Sequence, residues 1–356
     1  MSVLRTLVTY AAIAVVTVLG AEVVLRAWSW APSDTVSGDS LGVARYDHSP
    51  AGAGDLVPGQ DGHWVVWFHR PYHVETNSLG LRHTEEPSAT AFRILAIGDS
   101  QTFGPYLVNE DTWPGWAENQ LRLAHGSGER VQVFNAGISG YSIRDQLAYM
   151  REKGVAFAPK LVVLAVFEND LPDLRKPHGQ RPQRPPAATA DGWRWLQRNS
   201  ALAHLAAEVR TYVQRKAAQV DIRRGEGEVR APPRPADDHA ALAAAYAGHF
   251  RELAVLLRQN GIALATVFIP AAQHLESEEP SAMEPLIRSL AAETGTPHLD
   301  LTPAFRARAQ APARLYLLQR RPGGGHAGNA HLSREGQAEV GTAVAAWLLA
   351  QGMVPR

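Results

Sequence analysis

Three short apolar runs, each broken at its carboxyl end by small or polar residues, constrain this chain more than any other feature. The first is Arg93-Ile94-Leu95-Ala96-Ile97, stopped by Gly98-Asp99-Ser100. A run of that length, rich in Ile and Leu and ended by Gly, reads as a buried strand of a parallel sheet. The second, Val131 to Phe134, gives way to Asn135-Ala136-Gly137-Ile138-Ser139-Gly140, and the third, Leu161 to Phe167, to Glu168-Asn169-Asp170. Helical patterns separate the runs. Trp113 to Ala124 has Asp111 or Thr112 as its cap and Pro114 in its first turn, and Ile143 to Lys153 is closed by Gly154. Two further strands, Ile262 to Ile269 and His298 to Leu301, alternate with helices over about 238–259 and 282–294, and a last helix runs from Ser333 to Leu349. Such alternation implies a mostly parallel sheet with helices on both faces.

Parallel strands place all three polar ends on one edge of the sheet, where open α/β folds keep their sites. Acyl transfer needs a nucleophile and donors aimed at the developing oxyanion. Ser100 offers a hydroxyl and its own backbone N–H. Gly140 has no side chain, so its N–H can come close to a substrate. Asn169 offers a neutral amide donor. A base is also required, and His331 stands just before the last helix in Asn329-Ala330-His331-Leu332-Ser333. Ser333 with Gly336 suits a cap of that helix, which would fix where His331 points.

Composition removes several alternatives. Lys and Arg total 35 and so do Asp and Glu, so the net charge gives no electrostatic case for nucleic acid. Cysteine is absent, which excludes disulfides, thiolate metal sites and a cysteine nucleophile. Of 14 histidines, His326 and His331 lie close together, but no third ligand adjoins them, and no metal or other cofactor is expected. His274 and His298 are further candidates for a base, and His298 reads as a packed strand residue.

The N-terminus is apolar from Leu7 to Ala21, with Arg5 before it and Glu22 within its continuation to Leu25. Counted through Glu22, the segment reaches the about 20 residues that a spanning helix needs. Trp28 and Trp30 suit the interface that follows. This reads as a signal anchor with the bulk of the chain outside the cytoplasm. A cleaved signal peptide competes, although Leu19-Gly20-Ala21 makes a poor cleavage site.

Taken together, Gly98-Asp99-Ser100, Gly140, Asn169 and His331 resemble the four blocks of the SGNH (GDSL-type) hydrolases. The resemblance covers about residues 73–352, and His73 to Arg82 is similar to the lead-in of membrane-anchored bacterial members. It implies a three-layer α/β/α sandwich with a five-stranded parallel sheet, flavodoxin-like in arrangement. It also implies Ser100 as nucleophile, Ser100, Gly140 and Asn169 as the oxyanion hole, and His331 as base. The substrate it implies is an acyl ester, with O-acetylated glycans and lipids among the family's targets. Two positions depart from the family pattern. Phe167 stands where a glycine is usual, and Asn329 and Gly328 stand where the acid that orients the histidine is usual. Asn329 can accept from the imidazole but cannot neutralise it. Glu335 is an alternative acid on the far side of His331. Transfer of the acyl group to a glycan, and a non-catalytic envelope role, are the competing functions.

The expected organisation is an anchor at 1–30, a linker with lead-in strands at 31–72, and the hydrolase domain at 73–356. A strand is expected at His63 to Phe68. A Pro- and Arg-rich helical insertion interrupts the hydrolase domain at about 171–236. Within it, Trp195, Leu196, Leu202, Leu205 and Val209 form an uneven apolar stripe over a helical stretch from Trp193 to Lys216. The basic stretches at 171–190 and 221–235 read as solvated surface, with a lipid-headgroup patch as the alternative.

Overall fold

The computed structural model describes residues 2–27, 45–46, 55–56, 58–59, 61–64, 72–125, 131–175, 196, 200–203, 205–206, 209–210, 213, 236–276, 281–308, 314–320 and 326–355. The chain forms two compact units. One comprises Met1–Ala44, Asp61–Val74 and Arg184–Pro232, and the other comprises Arg45–Gln60, Glu75–Gln183 and Pro233–Arg356.

The second unit holds the sheet. Its strands are β1 (Phe92–Ile97), β2 (Val131–Asn135), β3 (Leu161–Val166), β4 (Ala263–Phe268) and β5 (His298–Asp300), in the order β2-β1-β3-β4-β5. All neighbours are parallel, with Ala96 opposite Asn135 and Ile97 opposite Leu164 at the carboxyl edge. The expected five parallel strands are therefore present, and the arrangement is a three-layer α/β/α sandwich. β2 and β3 are buried along their whole length because both faces are covered, which is why they read as unbroken apolar runs rather than alternating ones.

The two faces separate by residue parity. Ile94, Ala96, Val163 and Val267 pack under Trp113, Ala117 and Leu121 of one helix and Val340, Val344 and Leu348 of the last. The first of these helices is Trp113–His125, with Thr112 at its cap; the last is Arg334–Ala350. The expected cap of the last helix is in place, with the Gly336 N–H donating to Ser333 Oγ at 3.1 Å. The opposite layer includes the helices Ile143–Tyr149, Ala236–Gln259 and Met283–Thr294. Ala236–Gln259 is long and apolar enough to cross a membrane, but it is a core helix. It buries Tyr246, Phe250, Leu253 and Leu257 on one face, at the spacing of an amphipathic helix.

Two local departures have physical causes. The helix from Ile143 leaves α geometry at Tyr149 and closes with a π turn at Met150–Gly154. Met150 is fully buried, and a Cβ at Gly154 would lie 2.3 Å from its sulfur, so the lack of a side chain at Gly154 makes room for Met150 where the turn closes. His331, expected in a loop, lies instead in a hairpin of β6 (Tyr316–Arg320) and β7 (His326–Leu332). Tyr316 pairs with Leu332 and Leu318 with Gly328, so residues 329–331 stand opposite Leu317 alone. That bulge hides the alternation by which a strand is recognised.

In the first unit, one helix runs from Ser2 to Ala27. Its stretch Arg5–Ala27 has mean hydropathy 2.1 and is long enough to cross a membrane. A strand at Asp61–Trp64 begins two residues before the expected His63 to Phe68, and residues 65–71 lie outside the described set. So do Trp28, Trp30, Trp193, Trp195 and the basic stretches at 176–190 and 221–235.

Candidate active site

The order β2-β1-β3 places the switch point of the sheet between β1 and β3, where ligands bind in folds of this kind. Ser100 follows β1 and Asn169 follows β3, so the topology puts both at that crevice. The Gly-Asp-Ser turn starts a short helix, Ser100–Phe103. Asp99 caps it, its Oδ1 accepting the Gln101 N–H at 2.8 Å.

The other carboxylate oxygen of Asp99 joins the two chemical groups. Asp99 Oδ2 accepts the Ser100 hydroxyl at 3.4 Å and the Asn169 amide Nδ2 at 3.0 Å. The second Nδ2 hydrogen of Asn169 goes to Asp173 Oδ2 at 3.2 Å. Asp170 lies beneath and is fully buried. Burial raises its carboxyl well above the usual carboxylate range, and the charges of Asp99 and Asp173 raise it further. Asp99 and Asp173 are the acceptors that hold the Asn169 amide.

Asp173 was not legible as a site residue, since it sits on a helical turn four positions past Asn169 in a Pro-containing segment. Its carboxylate holds the Asn169 amide. Asp173→Ala is expected to lower kcat about tenfold with KM little changed, because a net hydrogen bond to a charged acceptor is worth about 1.5 kcal/mol. Asp173→Asn retains an acceptor and should recover most of the loss. Steady-state kinetics on a small ester separates the two parameters.

The loop after β2 runs beside the same turn. The Ile138 N–H donates to the Gly98 carbonyl at 3.2 Å, and a Cβ at Gly137 would lie 2.4 Å from the Phe103 nitrogen. Gly140 has φ +75°, a conformation in which a side chain is strained. The loop therefore reaches the carboxyl edge with its backbone, as an oxyanion donor at Gly140 requires.

His331 is brought in by its neighbour. The Leu332 N–H donates to Gln101 Oε1 at 3.1 Å, tying the end of β7 to the residue after Ser100. The Gln101 carbonyl accepts Gln337 Nε2 at 2.9 Å, and Gln337 Oε1 accepts the Trp113 N–H at 2.7 Å. This chain of amides fixes the Ser100–Phe103 helix against both helices of one face. Burial lowers the His331 imidazole from 6.5 to about 4. The Tyr106 ring meets it edge-on at 6.2 Å between centroids, and Tyr106 itself holds φ +71°. Such a backbone costs on the order of 1–3 kcal/mol and is tolerated where the surroundings over-determine it.

Arg82 does much of that determining. It is 2% exposed, and its guanidinium lies 4.6 Å from the Phe103 ring centroid. Nε donates to Asn109 Oδ1 and one terminal nitrogen to the Gly104 carbonyl, both at 2.9 Å. The terminal nitrogens also donate to the carbonyls of Phe103 and Leu107.

The usual orienting acid is absent from the sequence near the histidine, since no Asp or Glu occurs from Leu301 to Arg334. The Asn329 and His326 side chains lie outside the described set. Glu335, the alternative acid, is paired with Arg314. His298 bonds Thr266 Oγ1 at 2.9 Å, as suits a packed strand residue, and His274 lies 3.6 Å from Glu168. Among the described residues, one cluster has metal-ligand composition, namely His83, Glu85 and Glu118. Its carboxylates pair with Arg122, and Glu118 also accepts the Val133 N–H, so it reads as an ion-pair network that pins β2.

The serine and the amide donor of the neighbouring strand end thus lie together at the switch point of a doubly wound sheet. A profile of the GDSL-like Lipase/Acylhydrolase family matches residues 96–339, and the chain belongs to that family. It is a carboxylic ester hydrolase. Similar solved structures include LAE5, an alpha/beta hydrolase enzyme from the metagenome of Lake Arreo, Spain. It is 17% identical, with 76% of this chain and 99% of that one covered and a TM-score of 0.44. Another is Axe2, an acetylxylan esterase from Geobacillus stearothermophilus. It is 16% identical, with 72% and 94% covered and a TM-score of 0.42. No protein of curated function matches the chain in sequence.

Proposed function

We propose that Ser100 Oγ attacks the carbonyl carbon of an acyl ester, with His331 taking its proton. The observation that carries this reading is the shared oxygen: Ser100 Oγ and Asn169 Nδ2 both lie within hydrogen-bonding reach of Asp99 Oδ2. When substrate enters, one Asn169 N–H turns from Asp99 to the developing oxyanion, while the bond to Asp173 holds the amide in place. The backbone N–H groups of Ser100 and Gly140 complete the hole. Imidazolium then protonates the leaving alcohol, the acyl group stays on Ser100, and water releases it by the reverse proton path. Asn329 is the group proposed to orient His331 in place of an acid.

In the same reading the N-terminal helix crosses a bilayer once, and the hydrolase unit works outside the cytoplasm on an acyl ester, an O-acetylated glycan or lipid of the envelope. The helix supports it, being apolar with no buried residue in its apolar window.

The test is covalent. The full-length protein is treated with an alkyl fluorophosphonate, and 4-nitrophenyl acetate turnover is followed against labelling. We expect one adduct, on the peptide carrying Ser100, with turnover lost in proportion. An adduct on another serine, or turnover that survives complete labelling of Ser100, would remove Ser100 as the nucleophile.

A further inference from the structure

The N-terminal helix carries one acidic residue within its span, and that residue is bound to a distant part of the same unit. Glu22 Oε1 accepts Arg26 Nε and the Ala201 N–H, both at 2.8 Å. Its Oε2 accepts the Ser200 hydroxyl at 2.8 Å and the Leu202 N–H at 3.0 Å. Ala201 and Leu202 open a helical stretch seen at the described residues between 201 and 213. Their N–H groups are the ones a helix leaves without intrahelical acceptors. A carboxylate there also meets the positive end of the helix dipole. Ala201 is buried and Ala203 nearly so, and side chains this small let the backbone come close to the carboxylate. The Ala203 N–H donates to Ser200 Oγ at 3.2 Å, so Ser200 caps its own helix while donating to Glu22.

Glu22 lies 17 positions after Arg5, roughly 25 Å along a helix at about 1.5 Å per residue. That is close to the about 30 Å of bilayer hydrocarbon, so a helix spanning from Arg5 brings Glu22 to the far interface. Around the span, Tyr10, Ile13, Val15, Val16, Val18 and Leu19 are all more than half exposed, and steps of about 100° carry them over the whole circumference. An apolar helix uncovered on every side calls for lipid rather than one protein partner.

The helix latched to Glu22 is also incompletely covered. Leu202, Leu205, Val209 and Val213 recur at intervals of three and four, which is one helix face. Val209 is 42% and Val213 56% exposed on that face, while Arg210 stands beside it in solvent. An exposed apolar stripe on a short helix, joined at its first turn to the emerging end of a spanning helix, matches an element lying in the plane of the interface.

We propose that the described residues between Ala201 and Val213 belong to an interfacial helix. Its apolar stripe lies in the headgroup–acyl boundary of the bilayer, and Glu22 latches its first turn to the anchor. The proposal rests on the reading that the N-terminal helix spans a bilayer, and it adds a second membrane contact supplied by the insertion. It also makes the N-terminal helix a working part of the folded unit rather than a leader to be removed.

The chain lacks cysteine, so single spin labels report unambiguously. Full-length Val209→Cys, Val213→Cys, Arg210→Cys and Val15→Cys are each labelled and reconstituted in phosphatidylcholine vesicles, and collision with oxygen is compared with collision with a water-soluble nickel chelate. The oxygen-to-nickel ratio should be several-fold higher at 209 and 213 than at 210, and highest at 15. Adding Glu22→Gln or Glu22→Ala should bring 209 and 213 down to the value at 210 without changing that at 15. Water-like values at 209 and 213 with a lipid value at 15 would overturn the interfacial helix and leave the anchor standing. Water-like values at 15 as well would overturn both. Lipid values at 209 and 213 that survive both Glu22 substitutions would overturn the latch.

Discussion

His331→Ala is expected to lower kcat by on the order of 10⁴ to 10⁶, the scale on which a base acting as a unit with a serine nucleophile is lost. Turnover of a nitrophenyl ester by purified protein measures it, and a variant that keeps more than about a tenth of wild-type kcat would end the assignment. The pH profile sharpens the prediction. Burial holds the imidazole near 4, so at neutral pH the ring is unprotonated and able to accept the serine proton. Only the unprotonated ring is a base, so kcat/KM should fall as pH drops through about 4 and be level from there towards 7. The same burial that keeps the base free makes imidazolium costly, and no acidic residue from Leu301 to Arg334 offsets that cost. Asn329→Asp supplies such an anion. An anion beside the ring favours its charged form, so the acidic limb should move up in pH, while kcat rises about tenfold or more as imidazolium is stabilised. A limb that stays put, with kcat unchanged, would mean that residue 329 does not face the ring.

Much of this site could be read before any coordinates, because its parts fall where strand periodicity stops. Ser100, Gly140 and Asn169 follow runs such as Leu161–Val166, whose burial on both faces is written directly into composition. A parallel sheet then brings their ends together with no further information. His331 was legible as a residue but not as a strand residue, because the bulge opposite Leu317 breaks the period that identifies strands. The polar staples were not legible at all. Gln337 is a fully buried amide on an otherwise apolar helix face, and Gln101 sits one residue past the serine. Their meaning lies in partners 236 positions apart, and nothing local marks a glutamine as buried. The same holds for Glu22, which in sequence merely interrupts an apolar run, and whose donors lie about 180 positions away.

Arg82 is the staple whose removal should cost most. Arg82→Met keeps the length and apolar stem of the side chain but deletes every donor. The carbonyls of Phe103, Gly104 and Leu107 and Asn109 Oδ1 then lose their shared partner, and of these the Phe103 carbonyl and Asn109 Oδ1 keep another donor, Asn135 Nδ2 and the Glu75 N–H, each at 3.4 Å. A buried acceptor left unpaired costs about 1–3 kcal/mol, and the stacking of a cation on the Phe103 ring adds about 1 kcal/mol. Relaxation of the 103–109 loop recovers part of this, so a net loss of about 3–5 kcal/mol is expected, in the range found when buried charge networks are broken. For a unit of this size that is a fall in Tm of roughly 10 °C. Arg82→Lys should recover little of it, since one ammonium cannot serve three carbonyls and an amide oxygen that the planar guanidinium reaches from different edges. The consequence for catalysis follows from where the staple lies. The carbonyls it holds begin at the last residue of the Ser100–Phe103 helix and end beside Tyr106, whose left-handed backbone is kept in place next to His331. Once the guanidinium is gone, that residue can relax to an ordinary φ, the Tyr106–His331 contact opens, and kcat should fall at temperatures well below the new Tm. Thermal unfolding followed alongside turnover distinguishes the two effects. A loss of under about 1 kcal/mol with full activity would mean that water replaces the guanidinium at all four oxygens.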